Sequence, residues 1–141
     1  MSKTILAVDD DKDILGLVQR TLAGQGFTVT TAEDGHEALE AVARAKPDLV
    51  VLDIEMPELN GLEVVAKLRA NQATMNLPVI LLTAHDTHHD VYKGWRAGAD
   101  VYLTKPFDPK ELIQCVHQIF ISWFEESAIP APAPGDTPEP A

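Results

Sequence analysis

The sequence predicts an α/β protein built around one parallel β-sheet. Short apolar runs of strand length alternate with segments whose apolar residues recur at helical spacing, and five such strand and helix units follow one another. The third and fourth runs are almost entirely apolar, which is typical of strands covered by helices on both faces. A chain of 141 residues provides one domain of ordinary size.

Runs rich in apolar and β-branched residues supply the predicted strands. The second run, Phe27 to Thr31, alternates apolar and polar residues and therefore belongs nearer an edge of the sheet. The strands are expected at Thr4 to Val8, Phe27 to Thr31, Leu49 to Leu52, Val79 to Thr83 and Val101 to Thr104.

Apolar stripes predict the helices between these strands. Gly24 and Gly26 can end the first helix, and the third helix begins near Gly61. A less regular fourth helix is expected from about Thr87 to Gly98. The stripes are Ile14, Leu15, Val18 and Leu22 in the first helix, Ala38, Leu39, Val42 and Ala45 in the second, and Leu62, Val65 and Leu68 in the third.

The fifth helix has the clearest start. Asp108 can cap it, Pro109 suits the first helical position, and Glu111 lies three residues after the cap. Phe107 and Leu112 have the spacing of a hydrophobic staple. The inward stripe is Leu112, Val116, Ile119 and Trp123, and the apolar arc is widened by Ile113, Phe120 and Phe124. This wide arc is compatible either with core packing or with a surface for a partner or a dimer.

The composition changes abruptly after Glu126. Alternating prolines from Pro130 to Pro140 remove amide donors and prevent a helix. We expect residues 1–126 to form the folded domain and residues 127–141 to be a disordered Pro/Ala-rich tail or the stub of a linker. The sequence leaves open which of the two it is.

Charge and apolar patterning exclude several classes of protein. Eleven Lys and Arg against 22 Asp and Glu give a formal net charge of −11. Nucleic-acid binders gain affinity by neutralising phosphates with basic side chains, so we expect no direct binding of nucleic acid by this chain. No apolar run reaches ~18 residues and the N-terminus lacks a signal-peptide core, so no membrane partner is expected. The single cysteine, Cys115, cannot form an internal disulfide, which favours a cytoplasmic protein.

Three aspartates follow two of the predicted strands. Asp9 and Asp10 follow the first strand, and Asp53 follows the third. Parallel strands bring their carboxyl ends to one edge of a sheet, where open α/β sheets bind their ligands. Two carboxylates ~4 Å apart repel by roughly 4 kcal/mol at an effective dielectric constant of about 20, so such a cluster holds a proton or recruits a cation. Carboxylates are ligands of Mg²⁺, which commonly binds beside a phosphate, and the sequence therefore predicts a Mg²⁺ site for phosphoryl chemistry.

Four segments carry a family resemblance, and all of them fall at strand ends. They are Ile5 to Asp11, Val51 to Gly61, Leu81 to Ala84 and Ala97 to Phe107. In this order they resemble the receiver domain of two-component response regulators, the CheY-like family, over about residues 3 to 122. The resemblance implies a flavodoxin-like fold, a five-stranded parallel sheet in the order 2-1-3-4-5 with helices on both faces.

The resemblance also implies a role for each polar residue at the strand ends. Asp53 would accept a phosphoryl group, whose oxygens Lys105 and the Thr83 hydroxyl would contact. Lys105 would pair with Asp53 before phosphorylation, and Pro106 would follow a cis peptide bond that aims Lys105 into the site. Tyr102 would turn inward as Thr83 moves toward the phosphoryl group. The implied ligands of Mg²⁺ are Asp9, Asp10, Asp53 and the backbone carbonyl of Glu55.

The partners follow from the same resemblance. The phosphoryl group would come from a histidine kinase or a histidine phosphotransfer protein. The switch would alter the surface of the fourth helix, fifth strand and fifth helix, which would control a downstream protein target, with a phosphorylation-dependent dimer as one form of that contact. Such a chain phosphorylates and dephosphorylates itself and is not an enzyme for an external substrate.

Two other functions fit a carboxylate site on this kind of sheet. A Mg²⁺-dependent phosphatase or phosphotransferase for a small molecule would need a lid or a substrate pocket, for which the chain has no spare segment. A flavodoxin-like electron carrier would need a phosphate-binding loop after the first strand, where three consecutive aspartates would repel a flavin phosphate.

The histidines suggest a second metal site only weakly. His85, His88 and His89 have the spacing of ligands on one helix, but no cysteine or further histidine completes a ligand set. We interpret them, together with His36 and His117, as solvated polar residues.

Overall fold

The computed structural model describes residues 3–84 and 98–125, with side chains described as far as residue 121. Strands alternate with helices along the described chain. The strands are β1 (Thr4–Val8), β2 (Thr28–Ala32), β3 (Leu49–Asp53), β4 (Val79–Thr83) and β5 (Val101–Thr104), and the helices are α1 (Lys12–Ala23), α2 (Gly35–Arg44), α3 (Gly61–Ala70) and a C-terminal helix (Pro109–Glu125).

All five strands form one parallel sheet in the order β2-β1-β3-β4-β5. β1 lies between β2 and β3, with Ala7 in register with Thr31 on one side and Val51 on the other. β4 pairs with β3 and β5. The strand order reverses between β1 and β3, and sheets of this kind bind ligands at that point. The structure confirms the predicted flavodoxin-like α/β fold.

Two hydrophobic cores form because successive residues of a strand point to opposite faces of the sheet. β3 and β4 are buried at every position, as their apolar sequences predict. The core under α1 and the C-terminal helix contains Ile5, Ala7, Leu15, Val18, Leu22, Leu49, Val51, Ile80, Leu82, Leu103, Phe107, Leu112, Val116 and Ile119. The core under α2 and α3 includes Leu6, Val8, Ala38, Val42, Val50, Leu52, Val64, Val65, Leu68, Val79 and Leu81.

Polar caps fix where the first three helices begin. Asp11 and Asp34 accept hydrogen bonds from early backbone amides of α1 and α2. Asn60 and Glu63 form a capping box at the start of α3. The caps of α1 and α2 let these two helices begin soon after β1 and β2, whereas a longer loop separates β3 from α3.

Some element boundaries differ from the sequence prediction by one residue. β2 begins at Thr28, β3 extends to Asp53, and α2 ends just before Ala45, whose extended backbone terminates the helix. Most of the predicted fourth helix, residues 85–97, and the predicted tail lie outside the described residues.

The C-terminal helix packs as its apolar stripe predicts. Phe120 is half-buried, and its ring centroid lies 5.5 Å from that of Phe27, so part of the wide arc serves the core. The side chains of Trp123 and Phe124 lie outside the described residues. The buried residues of the stripe are Leu112, Val116 and Ile119. Neither this helix, at 17 residues, nor any other within the two described stretches could cross a membrane.

Arg69 ties α3 to the amino ends of β4 and β5. Its guanidinium donates hydrogen bonds to the carbonyl oxygens of Leu77 at 2.6 Å and Gly98 at 2.8 Å. It also forms an ion pair with Asp100 at 3.1 Å. The same Asp100 oxygen accepts a hydrogen bond from the backbone N–H of Val79 at 2.8 Å. This network fixes the entry of two strands whose other ends lie in the candidate site.

Candidate functional site

Five polar residues converge at the carboxyl edge of the sheet. Asp9 directly follows β1 and is followed by Asp10, Asp53 is the last residue of β3, and Thr83 is the last residue of β4. Lys105 directly follows β5. The register of parallel strands therefore assembles residues that are far apart in the sequence.

The three aspartates form a compact acidic cluster. One carboxylate oxygen from each of Asp9, Asp10 and Asp53 lies within 4.8 Å of the other two. Asp9 and Asp53 are 1% and 2% exposed, whereas Asp10 is exposed. Two acids are thus removed from water, and the third opens the cluster to solvent.

Lys105 is the cation that faces the two buried acids. Its Nζ donates a hydrogen bond to Oδ2 of Asp9 at 2.9 Å and lies 3.1 Å from Oδ1 of Asp53. The second contact is an ion pair without a hydrogen-bond angle, so the buried Oδ1 of Asp53 has no hydrogen-bond donor within the described part of the chain. One ammonium balances one carboxylate, and the cluster keeps an excess of negative charge.

Asp9 is anchored more completely than Asp53. Its Oδ1 accepts a hydrogen bond from the backbone N–H of Asp11 at 2.9 Å, and its Oδ2 accepts the one from Lys105. The backbone N–H of Asp9 donates to the carbonyl oxygen of Ala32 in β2 at 3.3 Å. Both oxygens of Asp9 therefore have donors, which distinguishes them from Oδ1 of Asp53.

The buried charges shift the pKa values of the acid and of the lysine. Burial raises the pKa of Asp53 to about 7, and repulsion from Asp9 adds to the increase, while the charge of Lys105 opposes it without cancelling it. Burial lowers the pKa of Lys105, but its hydrogen bond and charge interactions with Asp9 and Asp53 outweigh burial, so the pKa is raised. Lys105 is therefore an ammonium at neutral pH, and a further cation beside Asp53 would favour the carboxylate form.

Thr83 contacts the side chain of Glu55. Its Oγ1 donates a hydrogen bond to Oε1 of Glu55 at 2.7 Å, and its backbone carbonyl accepts one from the N–H of Lys105 at 2.6 Å. The resemblance implies only a backbone role for Glu55, so this side-chain contact was not predicted. The two residues are 28 positions apart in the sequence. One hint of the contact was present in the sequence: Glu55 is a polar residue two places beyond the end of β3, and the neighbouring strand β4 ends in Thr83.

The loop between β3 and α3 returns tightly to the end of β3. The backbone N–H of Gly61 donates to the carbonyl oxygen of Ile54 at 2.9 Å. A Cβ atom on Gly61 would lie against the carbonyl oxygen of Asp53 and 2.8 Å from Cα of Ile54, so this approach requires glycine. The close return restricts the backbone of Asp53 and of the residues that follow it.

Two further residues named by the resemblance lie on or beside β5. The Lys105–Pro106 peptide bond is cis. Tyr102 is half-buried and packs against the core under α2 and α3. Part of the Tyr102 side chain is therefore in contact with this core.

The histidines do not join the acidic cluster within the described residues. His36 is exposed and lies 3.9 Å from Glu58, and His117 is exposed with its ring 6.0 Å from that of Phe27. Among the residues that the structure describes, the candidate metal ligands consist of the three clustered aspartates. The other three histidines, residues 85, 88 and 89, lie outside the described residues.

The acidic cluster fits a hard divalent cation. Asp9 and Asp53 are buried beside a single ammonium, so added positive charge would relieve their repulsion. The exposed Asp10 leaves an approach for the water molecules that a small hard cation retains. The buried Oδ1 of Asp53, which lacks a hydrogen-bond donor, provides an oxygen for such an ion. The residues present can therefore hold a metal ion.

A parallel sheet of this order, with acids from its first and third strands facing a lysine after its fifth, defines a class of phosphorylation-dependent signalling domains. The chain belongs to the response regulator receiver domain family, whose model matches residues 5–117. This result confirms the resemblance seen in the sequence.

Two curated relatives illustrate the relationship. The chain is 46% identical over 112 residues to the alkaline phosphatase synthesis transcriptional regulatory protein PhoP of Bacillus subtilis, covering 79% of this chain and 46% of PhoP. It is 49% identical over 109 residues to the response regulator MprA of Mycobacterium leprae, covering 77% of this chain and 47% of MprA. The chain therefore spans about half the length of the curated relatives it matches.

Solved structures of similar fold include two bacterial proteins. The chemotaxis response regulator CheY4 of Vibrio cholerae superimposes with a TM-score of 0.80 at 33% identity, over 84% of this chain and 99% of that one. The BeF3-activated receiver domain of DrrB superimposes with a TM-score of 0.78 at 36% identity, over 86% of this chain and 99% of that one. These likenesses support the family assignment at the level of the whole fold.

The relatives correct one prediction about partners. PhoP is named a transcriptional regulatory protein, and a regulator of transcription acts on nucleic acid directly or through its partners. The expectation of no nucleic-acid partner rested on the formal net charge of −11. That charge describes a chain matching about half of PhoP, so it does not bear on contacts made elsewhere in a longer regulator. The prediction that excluded nucleic acid is wrong.

Proposed function

We propose that this chain is a phosphoacceptor switch that receives a phosphoryl group on Asp53 from a histidine kinase or a histidine phosphotransfer protein. The observation that carries the proposal is the buried Asp53 carboxylate, 3.1 Å from the Lys105 ammonium and clustered with two further aspartates. A carboxylate attacks phosphorus only in its ionised form, and neighbouring cations favour that form and neutralise phosphoryl oxygens. Membership of the receiver family supports the same assignment.

The transfer forms one bond and breaks one. A carboxylate oxygen of Asp53 bonds to phosphorus while the bond from phosphorus to the donor histidine breaks, and the histidine nitrogen keeps the electron pair of that bond. Lys105 already lies beside the acceptor, so its ammonium can pair with a phosphoryl oxygen without a large movement. The Thr83 hydroxyl, on the neighbouring strand, would donate a hydrogen bond to another oxygen.

A Mg²⁺ ion is the cofactor that we assign to the acidic cluster. Asp9, Asp10, Asp53 and the backbone carbonyl of Glu55 would hold it, and a bound ion supplies positive charge for the phosphoryl oxygens. The carboxylates of Asp9 and Asp10 would hold this positive charge close to Asp53. Burial of Asp9 and Asp53 keeps bulk water away from the acceptor.

The phosphorylated state would be read at the surface of β5 and its neighbours. Thr83 and Tyr102 are the proposed switch residues, and Tyr102 is half-buried on β5, where a change of side-chain position reaches the surface. The surface made by β5, the C-terminal helix and the predicted helix before β5 would contact a downstream protein or a second copy of the chain. Hydrolysis of the acyl phosphate within the same site would reset the switch.

We propose the same domain division as the sequence predicts. Residues 1–126 would form the receiver domain, and residues 127–141 would be a Pro/Ala-rich tail or linker. Both described cores lie within residues 5–119, which supports this division. The cytoplasmic localisation stays a prediction from the sequence.

The rival function as a small-molecule phosphatase has less support. A cavity of about 390 Å³ does open in the described part of the molecule, but Lys3, Asp48 and Pro78 line it at the amino edge of the sheet, opposite the aspartates. A substrate bound there would be separated from Asp53 by the length of the strands. The geometry therefore favours transfer from a protein donor that approaches the carboxyl edge.

Phosphoryl labelling tests the acceptor assignment. The chain is incubated with acetyl phosphate and Mg²⁺ and analysed by intact-protein mass spectrometry, together with Asp53→Asn and the matched control Asp34→Asn, which alters the N-cap of α2. We expect the wild type and Asp34→Asn to gain one phosphoryl group and Asp53→Asn to gain none. Equal labelling of Asp53→Asn and the wild type would contradict the assignment.

A further inference from the structure

The side chain of Glu55 has no role in the transfer proposed above, yet it makes a short contact inside the site. Its Oε1 accepts the 2.7 Å hydrogen bond from the Thr83 hydroxyl. Thr83 is 1% exposed and Glu55 is half-buried, so little water competes for this bond. Hydrogen bonds from a hydroxyl to a carboxylate are among the stronger kinds in proteins.

A threonine hydroxyl has only one proton to donate. While Thr83 donates that proton to Glu55, it cannot donate it to an oxygen of a phosphoryl group on Asp53. We propose that Glu55 is a positioning residue that holds the Thr83 hydroxyl in the unphosphorylated conformation, so that phosphorylation must break the Thr83–Glu55 hydrogen bond before Thr83 contacts the phosphoryl group. This inference rests on the proposed function, because it takes Asp53 as the acceptor.

The backbone around Thr83 is held in place, so the exchange involves side chains. Thr83 is the last residue of β4, lies in register with Thr104 of β5, and accepts the 2.6 Å hydrogen bond from the N–H of Lys105. Rotation about the Cα–Cβ bond of Thr83 is therefore the available movement. The strength of the hydrogen bond to Glu55 then sets how readily the switch leaves its resting state.

Glu55 could also act by charge alone, and the experiment has to separate the two effects. A carboxylate near the acceptor repels any anion that binds at Asp53. Glu55→Ala removes both the charge and the hydrogen-bond acceptor, whereas Glu55→Gln removes the charge and keeps an oxygen that accepts a hydrogen bond. Both substitutions retain the backbone carbonyl of residue 55.

The test titrates the full chain with beryllofluoride in the presence of Mg²⁺, using beryllofluoride as a phosphoryl mimic, and follows the Thr83 methyl and amide signals by NMR. We expect Glu55→Ala to bind beryllofluoride about tenfold more tightly than the wild type, a factor that corresponds to about 1.4 kcal/mol. Glu55→Gln keeps a weaker, neutral hydrogen-bond acceptor and should therefore tighten binding clearly less than Glu55→Ala does. Before ligand is added, the Thr83 side chain should keep one rotamer in the wild type and in Glu55→Gln, and should average between rotamers in Glu55→Ala.

Two results would overturn the inference. Equal tightening by Glu55→Gln and Glu55→Ala would assign the effect to charge, and unchanged binding and rotamer behaviour in Glu55→Ala would show that Glu55 does not hold Thr83. Signals from residues remote from the site confirm in each variant that the domain is folded.

A double-mutant comparison gives an independent check. In a Thr83→Ala background the hydroxyl is absent, so Glu55→Ala should no longer tighten beryllofluoride binding. Tightening that persists in this background would contradict the inference. Asp53→Asn separates this outcome from the proposed function: binding to Asp53→Asn equal to that of the wild type would refute the acceptor, whereas binding that requires Asp53 but does not respond to Glu55 would refute only the positioning role.

Discussion

At the scale of single residues, the site is defined by an imbalance of charge. Two buried carboxylates, Asp9 and Asp53, face one ammonium from Lys105, and burial raises the pKa of Asp53 to about 7. A structural ion pair would be expected to lower the pKa of its acid. The opposite shift comes first from burial of the Asp53 carboxylate and then from repulsion by Asp9, and an added cation beside Asp53 would offset both effects.

This imbalance predicts a pH dependence of stability in the absence of metal ions. Because the folded pKa of Asp53, about 7, exceeds the ordinary value of 3.8, the folded state keeps a proton that the unfolded chain has lost. Stability contributed at this residue should therefore fall as the pH rises from about 4 to about 7, and Asp53→Asn should remove that decrease. Above pH 7 in chelator, we expect Asp53→Asn to be more stable than the wild type by an amount on the order of a few kcal/mol.

Urea denaturation from pH 4 to pH 8 in chelator measures this difference. Asp10→Asn is the comparison variant, and because Asp10 is exposed, removing its charge should stabilise the fold less. A difference between wild type and Asp53→Asn that is constant with pH would contradict the raised pKa. Added Mg²⁺ should stabilise the wild type and leave Asp53→Asn nearly unchanged.

Gly61 is the residue whose small size shapes the loop after Asp53. In Gly61→Ala, the new Cβ would meet the carbonyl oxygen of Asp53 and Cα of Ile54, both backbone atoms that cannot move freely. We expect a loss of about 2–3 kcal/mol in the free energy of unfolding, as for other overpacked sites. Chemical denaturation provides the measurement.

Gly16→Ala is the matched control for that prediction. Gly16 lies inside α1, where a Cβ would meet only the flexible end of Arg20, 3.2 Å from Nη1. Alanine favours a helix interior over glycine by up to ~1 kcal/mol, so this variant should be as stable as the wild type or more so. Equal destabilisation by Gly61→Ala and Gly16→Ala would show that the close backbone contacts at Gly61 do not make a Cβ atom more unfavourable there than in a helix.

The sequence predicted which residues reach the site but not all of their contacts. Asp9, Asp53, Thr83 and Lys105 could be placed at one edge because parallel strands align their carboxyl ends. The contact between Thr83 and Glu55 could not be predicted in this way. It depends on the path of the loop after β3, which the sequence pattern does not specify.

At the scale of elements, periodicity predicted the sheet and the described helices well. Strands β3 and β4 are apolar throughout and buried throughout, so the pattern had one interpretation. The predicted end of a strand differed from the structure where the last paired residue is polar. β3 was predicted to end with its apolar run at Leu52, but pairing with β4 continues to Asp53. The wide apolar arc of the C-terminal helix fitted either core packing or a partner surface. The sequence pattern could not show that Phe120 packs on Phe27, which lies just before the edge strand β2.

Arg69 shows how one side chain on α3 holds two strands in place. Arg69→Ala would leave the carbonyl oxygens of Leu77 and Gly98 and the carboxylate of Asp100 without this donor. We expect a loss of about 2–3 kcal/mol, because partly buried acceptors lose hydrogen bonds to a charged group. The exposed Lys67, on the same helix, is the control, and Lys67→Ala should change stability by less than about 0.5 kcal/mol.

Hydrogen exchange locates the effect of Arg69. Amides of β4 and β5 should exchange faster in Arg69→Ala than in Lys67→Ala, because Arg69 fixes the entry of these two strands. Uniformly faster exchange across the whole sheet would mean that Arg69 stabilises the domain without a particular link to β4 and β5.

At the scale of the whole molecule, the predicted boundary between the folded domain and the tail can be tested by truncation. The core under α1 and the C-terminal helix extends as far along the chain as Ile119, the other described core ends earlier, and Phe120 is the last half-buried side chain described. A chain ending at residue 126 should therefore unfold at nearly the same temperature as the full chain, within about 2 °C, since a change of 1 kcal/mol shifts Tm by only a few degrees. A chain ending at residue 117 loses Ile119 and the ring of Phe120, and should unfold at a markedly lower temperature or fail to fold. Thermal unfolding followed by circular dichroism compares the three chains. A large fall in Tm on removal of residues 127–141 alone would mean that these residues pack on the domain, and the domain boundary would have to be placed later in the sequence.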